Sequence, residues 1–282
     1  MKFGILAWVA AHTAGVAEVA RLCEAAGFES FFMAEHPVMP SEIITRLPRG
    51  NGKIPDVYAH MMDPFVGLAV AAAVTTRMKL GTGICLVPER DPKLLAKEVA
   101  TLDLVSGGRF IFGIGAGWLR EESRAMGVDF RRRWDITLEC IRAIKELWTH
   151  DGAEFHGEFV NFPALCSNPK PLQRPHPPIH VGAGGDRALR NTVTIGDGWA
   201  PIALSPLQAT VELAKLRRMC DEAGRDFNQL EITVYGPVGA DAKHAVEEYS
   251  QAGVHRLVLM NASLSPERYE AEIESFARTW FN

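Results

Sequence analysis

Glu35 and His36 stand side by side after an apolar run dense in phenylalanine, Phe28–Ala34. Histidine is the side chain whose unperturbed pKa lies nearest physiological pH, so an imidazole at such a position suits proton transfer. Glu35 is placed to orient it, or else to pair with an arginine of the same rim. A second candidate is Gly182-Ala183-Gly184-Gly185, between the apolar run Ile179-His180-Val181 and a helical pattern. Glycine backbone lets amide groups crowd onto an anion. The free N–H groups and positive dipole end of a helix add to that attraction. Asp186 is the expected N-cap, and Arg187 and Arg190 fall in or near the first turn. The chemistry is that of a phosphate cradle, with a plain tight turn as the alternative. A third candidate is the alternation Gly113, Gly115, Gly117 before Trp118, echoed by Gly81-Thr82-Gly83-Ile84. Strand ends without side chains suit a flat ring lying against them, and tight strand packing is the other reading. No H-E-x-x-H, G-x-S-x-G or other metal or serine-nucleophile pattern occurs.

These residues need elements to hold them. Eight strands alternate with helices along the chain. The strands are Lys2–Trp8, Phe28–Ala34, Met78–Val87, Arg109–Ile114, Ile179–Val181, Gly198–Ile202, Leu230–Val238 and Arg256–Asn261. Thr13, Asp63-Pro64, Asp91-Pro92 and Ser205-Pro206 read as helix starts, since Pro is favoured at the first helical position. A long amphipathic helix covers 133–149. Eight βα units on this length predict a single-domain (β/α)8 barrel over 1–282, of the TIM type. A doubly wound sheet would want a G-x-G-x-x-G turn after strand one, where Trp8-Val9-Ala10-Ala11-His12 stands. Two insertions interrupt the rhythm: a Pro-rich loop 37–62 after strand two, long enough to be a lid, and an excursion 150–178 between strands four and five. The excursion opens on a hairpin-like stretch, 154–159. Barrel active sites lie at the C-terminal strand ends. That rule collects Trp8, Glu35, His36, Gly83, Gly115–Trp118, Gly182–Gly185 and Trp199 on one rim.

A net charge of −4 leaves no footprint for nucleic acid or an anionic membrane. Five widely spaced cysteines, without a C-x-x-C pair, suit reduced thiols and a cytoplasmic setting.

The chain resembles the luciferase-like monooxygenase superfamily, and within it the F420-dependent oxidoreductase group. The matching pieces are Leu80-Gly81-Thr82-Gly83-Ile84, Leu95-Ala96-Lys97-Glu98, Ser106-Gly107-Gly108-Arg109 to Trp118, Pro169-Lys170-Pro171, Val181-Gly182 and Gly196-Asp197-Gly198-Trp199. The resemblance implies a barrel that is usually a homodimer, with a deazaflavin (F420) or a flavin (FMN) over the strand ends. It implies a cis peptide on strand three, here Gly83–Ile84. It gives the cofactor phosphate to Gly182, Ala183, Gly184 and Gly185, and a proton-handling role to His36. Trp8, Thr82, Gly83, Ile84, Gly115, Gly117, Trp118, Arg187 and Trp199 complete the expected cofactor site, and no metal is expected. Some F420 enzymes of this superfamily carry a glutamate after the strand-four glycines. Here Trp118 stands there, and Glu121 and Glu122 are expected to point away. The leading expectation is an F420-dependent oxidoreductase acting on a small hydrophobic compound. The alternatives are an FMN-dependent monooxygenase fed by a reductase and a non-catalytic flavin carrier.

Overall fold

The computed structural model describes residues 1–47, 54–236, 242–261 and 265–281. Short, almost wholly apolar strands with helices between them must bury both faces, which a parallel barrel does. The strands are β1 (Lys2–Ala7), β2 (Ser30–Met33), β3 (Lys79–Thr82), β4 (Cys85–Leu86), β5 (Phe110–Gly115), β6 (Ala153–His156), β7 (Asn161–Leu165), β8 (Ile179–Val181), β9 (Gly198–Trp199), β10 (Glu231–Gly236) and β11 (Arg256–Asn261). The parallel sheet runs β3-β2-β1-β11-β10-β9-β8-β5-β4, and β3 also pairs with β5, which closes the ring. The expected (β/α)8 barrel is therefore the fold. β3 and β4 together serve as one stave, broken at Gly83–Ile84, whose peptide bond is cis. The single strand expected over Met78–Val87 is thus two, and Val87 already belongs to a 3₁₀ turn, Val87–Glu89.

The helices are α1 (Val16–Ala25), α2 (Pro64–Val74), α3 (Pro92–Val105), α4 (Arg120–Ala125), α5 (Arg133–Thr149), α6 (Asp186–Ile195), α7 (Pro206–Glu222), α8 (Ala242–Ala252) and α9 (Tyr269–Phe281). Three begin as their sequences predict. Asp63 accepts from the Val66 amide, Asp91 from those of Lys93 and Leu94, and Ser205 with Gln208 forms a reciprocal capping box. Thr13 does not cap α1. Its hydroxyl accepts from the Ala10 amide and donates to the Ala10 carbonyl, tightening a turn, so the helix starts later with Gly15 as N-cap. Among the described residues no helix is long and apolar enough to cross a membrane.

The β6–β7 hairpin lies along α5, where Glu139 accepts from the amides of Glu158, Phe159 and Val160. The chain then runs to the N-terminal end of the barrel, where Gln173 bonds Asp103 and the Phe110 carbonyl. The excursion thus clads one side of the barrel and does not roof the rim.

At that N-terminal end the barrel is filled by charge. Arg256, 1% exposed, reaches Glu29 at 2.8 Å and Glu231 at 2.9 Å, and Lys2 meets Glu231 at 2.7 Å. His180 is buried beside them, with Nε2 3.4 Å from Glu231 and no hydrogen bond at either ring nitrogen. Burial, opposed by Glu231 and reinforced by Arg256, pushes its pKa from 6.5 down to about 4. In the unfolded chain the imidazole gains a proton below about pH 6.5, and in the fold only near 4. His180 therefore favours the fold fully above pH 6.5. That stability is lost as pH falls from 6.5 to 4, by about 3 kcal/mol in all. Urea unfolding at pH 7 and pH 4.5 should show this loss in the wild type and a smaller one in His180→Gln. Equal losses in both would exclude His180 as the cause.

Candidate active site

The end of β2 delivers two side chains in opposite directions, as successive residues leaving a strand do. Glu35 turns outward, where its Oε2 accepts from the Leu86 amide at 2.8 Å and its Oε1 from Arg90 Nε at 2.6 Å. Arg90 also holds Asp63 and Glu98. Burial raises the Glu35 pKa against the pull of Arg90 and the Leu86 amide. Of the two roles expected of Glu35, orienting His36 is overturned and pairing with an arginine is found: Glu35 ties β2 to the β3–β4 stave through Arg90.

His36 points into the mouth, and its Nδ1 lies 2.8 Å from Oε2 of Glu122 on α4. Glu122 is wholly buried. It does not point away, because α4 begins so soon after β5 that its first turn lies back over the strand ends. The imidazole stacks on Tyr58, with centroids 4.8 Å apart and planes 26° apart, and meets the Trp118 edge at 5.9 Å. Tyr58 in turn packs edge-on against Trp8 at 5.4 Å. It comes from a 3₁₀ turn in the lid, Asp56–His60. The lid is fixed at both ends. Met61 bridges to Ala10, and Glu121, beside Glu122, accepts from the amides of Ile44 and Thr45 at 3.0 Å each. Residues 48–53 of the expected lid lie outside the described residues.

The glycines work differently from the expectation of a bare face open to a ring. A Cβ on Gly115 would lie 1.8 Å from Cδ1 of Ile84, and one on Gly182 would lie 2.7 Å from Cγ2 of the same side chain. A Cβ on Gly113 would lie 2.0 Å from the Thr82 carbonyl oxygen. The space these residues vacate is thus taken by the β3–β4 segment, with Ile84 wedged over β5 and β8. Thr82 is buried and donates to the Gly113 carbonyl at 2.6 Å, a structural bond. Gly83 backs onto Leu6 and Tyr235. Gly117, at φ +79°, faces Glu89 and Ser123.

The turn after β8 has Ala183 at φ 135° and Gly185 at φ 84°. Gly185, not Asp186, is the N-cap of α6, and no side chain caps the helix start. Trp199, expected in the cofactor site, is fully buried outside the barrel. It shares an apolar cluster with Leu213 and Ile232 and donates from Nε1 to the Ala183 carbonyl at 2.9 Å. It therefore braces the turn through the Ala183 carbonyl. Arg187 pairs with Asp135 at 2.6 Å. Burial, then Arg187 and Arg120, hold Arg133 below the ordinary guanidinium value, so three arginines share this corner. Beside the turn opens a cleft of about 500 Å³, lined by Gly184, Gly185, Trp199, Leu204, Leu207 and Gln208 among others, so Trp199 borders the candidate phosphate site as expected. The donor set fits a phosphate: uncapped first-turn amides, a left-handed glycine and neighbouring guanidinium groups. At the other end of the rim, Trp8 Nε1 is buried with no hydrogen-bond partner among the described residues. An orphaned donor there fits the polar edge of a ring system.

A family model described as luciferase-like monooxygenase matches residues 1–278. The chain belongs to the luciferase-like monooxygenase family. Within this luciferase-like family it is 38% identical over 202 residues to an uncharacterized protein of Mycobacterium tuberculosis, covering 71% of each chain. It is 39% identical over 130 residues to the FMNH2-dependent dimethylsulfone monooxygenase of Pseudomonas putida, covering 45% of this chain and 35% of that one. The solved coenzyme F420-dependent tetrahydromethanopterin reductase of Methanopyrus kandleri superposes with a TM-score of 0.76 at 20% identity, covering 98% of this chain and 97% of that one. That last likeness is one of fold.

Glu122 and Tyr58 complete the His36 site, and sequence reasoning missed both as partners. The acidic pair Glu121-Glu122, a few residues after the strand-four glycines, was the available signal for Glu122. Nothing distinguishes Tyr58 from any other aromatic residue in an apolar loop.

Proposed function

We propose that this protein is an oxidoreductase that transfers a hydride between F420 and a small, hydrophobic organic substrate, with His36 giving or taking the accompanying proton. The observation that carries the reading is the His36–Glu122 pair, held at 2.8 Å on the barrel rim between Tyr58 and Trp118. The Gly182–Gly185 turn and α6 would hold the phosphate, with Arg187 nearby, and Ile84 would back the ring. When bound, the deazaflavin supplies a hydride at C5. Glu122 accepts at Nδ1 of the neutral imidazole, which fixes the tautomer and leaves Nε2 to exchange a proton with the substrate. Tyr58, from the lid, and Trp8, packed against it, exclude water from that exchange. Positioning the reactants then supplies much of the rate enhancement. A cytoplasmic homodimer belongs to the same reading.

A second reading keeps the fold and replaces F420 by reduced FMN, supplied by a reductase. The 39% identity to the FMNH2-dependent monooxygenase segment favours it. Side-by-side titration of the purified chain separates the two. F420 should quench tryptophan fluorescence at micromolar concentration. Micromolar binding of FMN, with none of F420, would reverse the assignment. Tight binding with no substrate-dependent turnover would leave a carrier.

A further inference from the structure

The cations flanking the turn after β8 are already matched by carboxylates. Arg187, in the first turn of α6, pairs with Asp135 at 2.6 Å, and Asp135 also holds Arg132 at 3.0 Å. On the other flank, Lys215 of α7 pairs with Glu212 at 2.6 Å and stands 4.0 Å from Asp186. Asp186 itself adds a negative charge to the first turn of α6. Arg120 and Arg133 lie over the Phe130 ring, 5.2 and 3.8 Å from its centroid. A terminal phosphate monoester brings a charge of about −1.5 to −2 at neutral pH and calls for unpaired cations. A phosphodiester brings a single charge, which backbone amides and a helix start can satisfy.

The space agrees with the charge. A Cβ on Gly185 would meet nothing within 4 Å, so the turn is open in front of it. The cleft there joins Gly184 and Gly185 to Leu204, Leu207 and Val211. Its α7 wall is apolar and uncovered, with Leu207 75% and Val211 49% exposed, one helical turn apart. That wall is held in place. The Ser205–Gln208 capping box starts α7, and the Tyr249 hydroxyl donates to the Leu204 carbonyl. Glu212 also lines the cleft, and its Oε2 is buried with no hydrogen-bond partner among the described residues. A terminal phosphate would leave this cleft unused. A group continuing from the phosphate covers Leu207 and Val211 and can donate a hydroxyl or amide hydrogen to Glu212.

We propose that the Gly182–Gly185 turn takes an internal phosphodiester rather than a terminal phosphate, and that the group beyond the phosphate, bearing a hydroxyl or an amide, lies in the cleft on Leu207 and Val211. This rests on the reading of the turn as the cofactor's phosphate site. It separates the two cofactors by their ends, since F420 continues past its phosphate through a diester and FMN stops at a monoester.

The test is a fluorescence titration of the purified full chain with F420, with the deazaflavin nucleoside that lacks its phosphate, with FMN, and with FAD, whose phosphate continues to an adenosine. The wild type should bind F420 more tightly than the nucleoside. Leu207→Glu and Val211→Glu place a carboxylate where the extension lies. Both positions are exposed and glutamate suits a helix, so the fold should survive, as thermal melting will show. Each variant should weaken F420 by about tenfold and leave the nucleoside unmoved. F420 affinity unchanged in both variants overturns the proposal, as does a nucleoside weakened as far as F420. Should FMN bind and F420 not, the functional reading falls and FAD decides the diester. FAD bound as well as FMN, and weakened by about tenfold in Leu207→Glu, upholds it. Exclusion of FAD overturns it. Binding of none of these probes overturns both readings.

Discussion

His36→Ala should bind cofactor as the wild type does and lose turnover by about 10²- to 10⁴-fold, the range a general acid or base contributes. Binding is spared because the proposed phosphate turn, Gly182–Gly185, and the Ile84 wedge belong to other strands and do not touch the imidazole. The chemistry suffers because, in the proposed mechanism, Nε2 is the proton-exchanging atom. Alanine also strands the buried Glu122 carboxylate, whose Oε1 already has no partner among the described residues, so some stability is lost with the ring. His36→Gln separates the effects, since its amide can still donate to Glu122 but cannot exchange a proton. Both variants should fail equally in single-turnover hydride transfer, and glutamine should melt closer to the wild type. Turnover near the wild-type rate in either variant would remove His36 from the mechanism.

The second large effect lies at the opposite end of the barrel. Arg256→Ala should destabilise the fold by about 3–5 kcal/mol, the cost of breaking a buried ion pair from one side. Arg256 is 1% exposed and grips Glu29 with two nitrogens, at 2.8 and 2.9 Å. It also meets both oxygens of Glu231 and the Thr233 hydroxyl. Burial opposes the charge on Glu231, but Arg256 first, then His180 and Lys2, hold its carboxyl down to about 2. Without the guanidinium, Glu29 keeps no comparable partner and Glu231 keeps only Lys2, half exposed, and a neutral His180. The exposed Lys2–Glu231 bridge is the control, and Lys2→Ala should cost no more than about 1 kcal/mol. Equilibrium urea unfolding measures both. An Arg256→Ala loss as small as that of Lys2→Ala would mean that the cluster relaxes into water.

The barrel was legible because strand and helix patterns alternate, and three of its helix starts carry side chains that cap as their chemistry dictates. His36 was legible for the same reason: a residue just past the end of β2 must sit on the rim. Its partner was not. Glu35 is adjacent in sequence, yet the alternation of side chains at a strand end sends it outward to Arg90, and the carboxylate that reaches His36 comes from α4. The glycines show a similar limit. Their positions announced close approach, but whether a ring or a neighbouring side chain approaches depends on Ile84, whose direction is set by the fold.

The seam between the first and last staves, β1 and β11, has a consequence for how the chain comes to be folded. β1 takes its partner from β11, with Lys2 opposite Arg256 and Ala7 opposite Asn261. The salt bridges that lock this seam reach Lys2, Glu29, Glu231 and Arg256, and so span almost the whole chain. On a ribosome the first stave of the barrel is made before the others, and the stave that must cover its free edge is made last. Until then an apolar strand waits with unpaired amides and carbonyls, the kind of edge that recruits other chains. Pairings so distant in sequence also slow the final closure. β1 therefore keeps one open edge until β11 has been made.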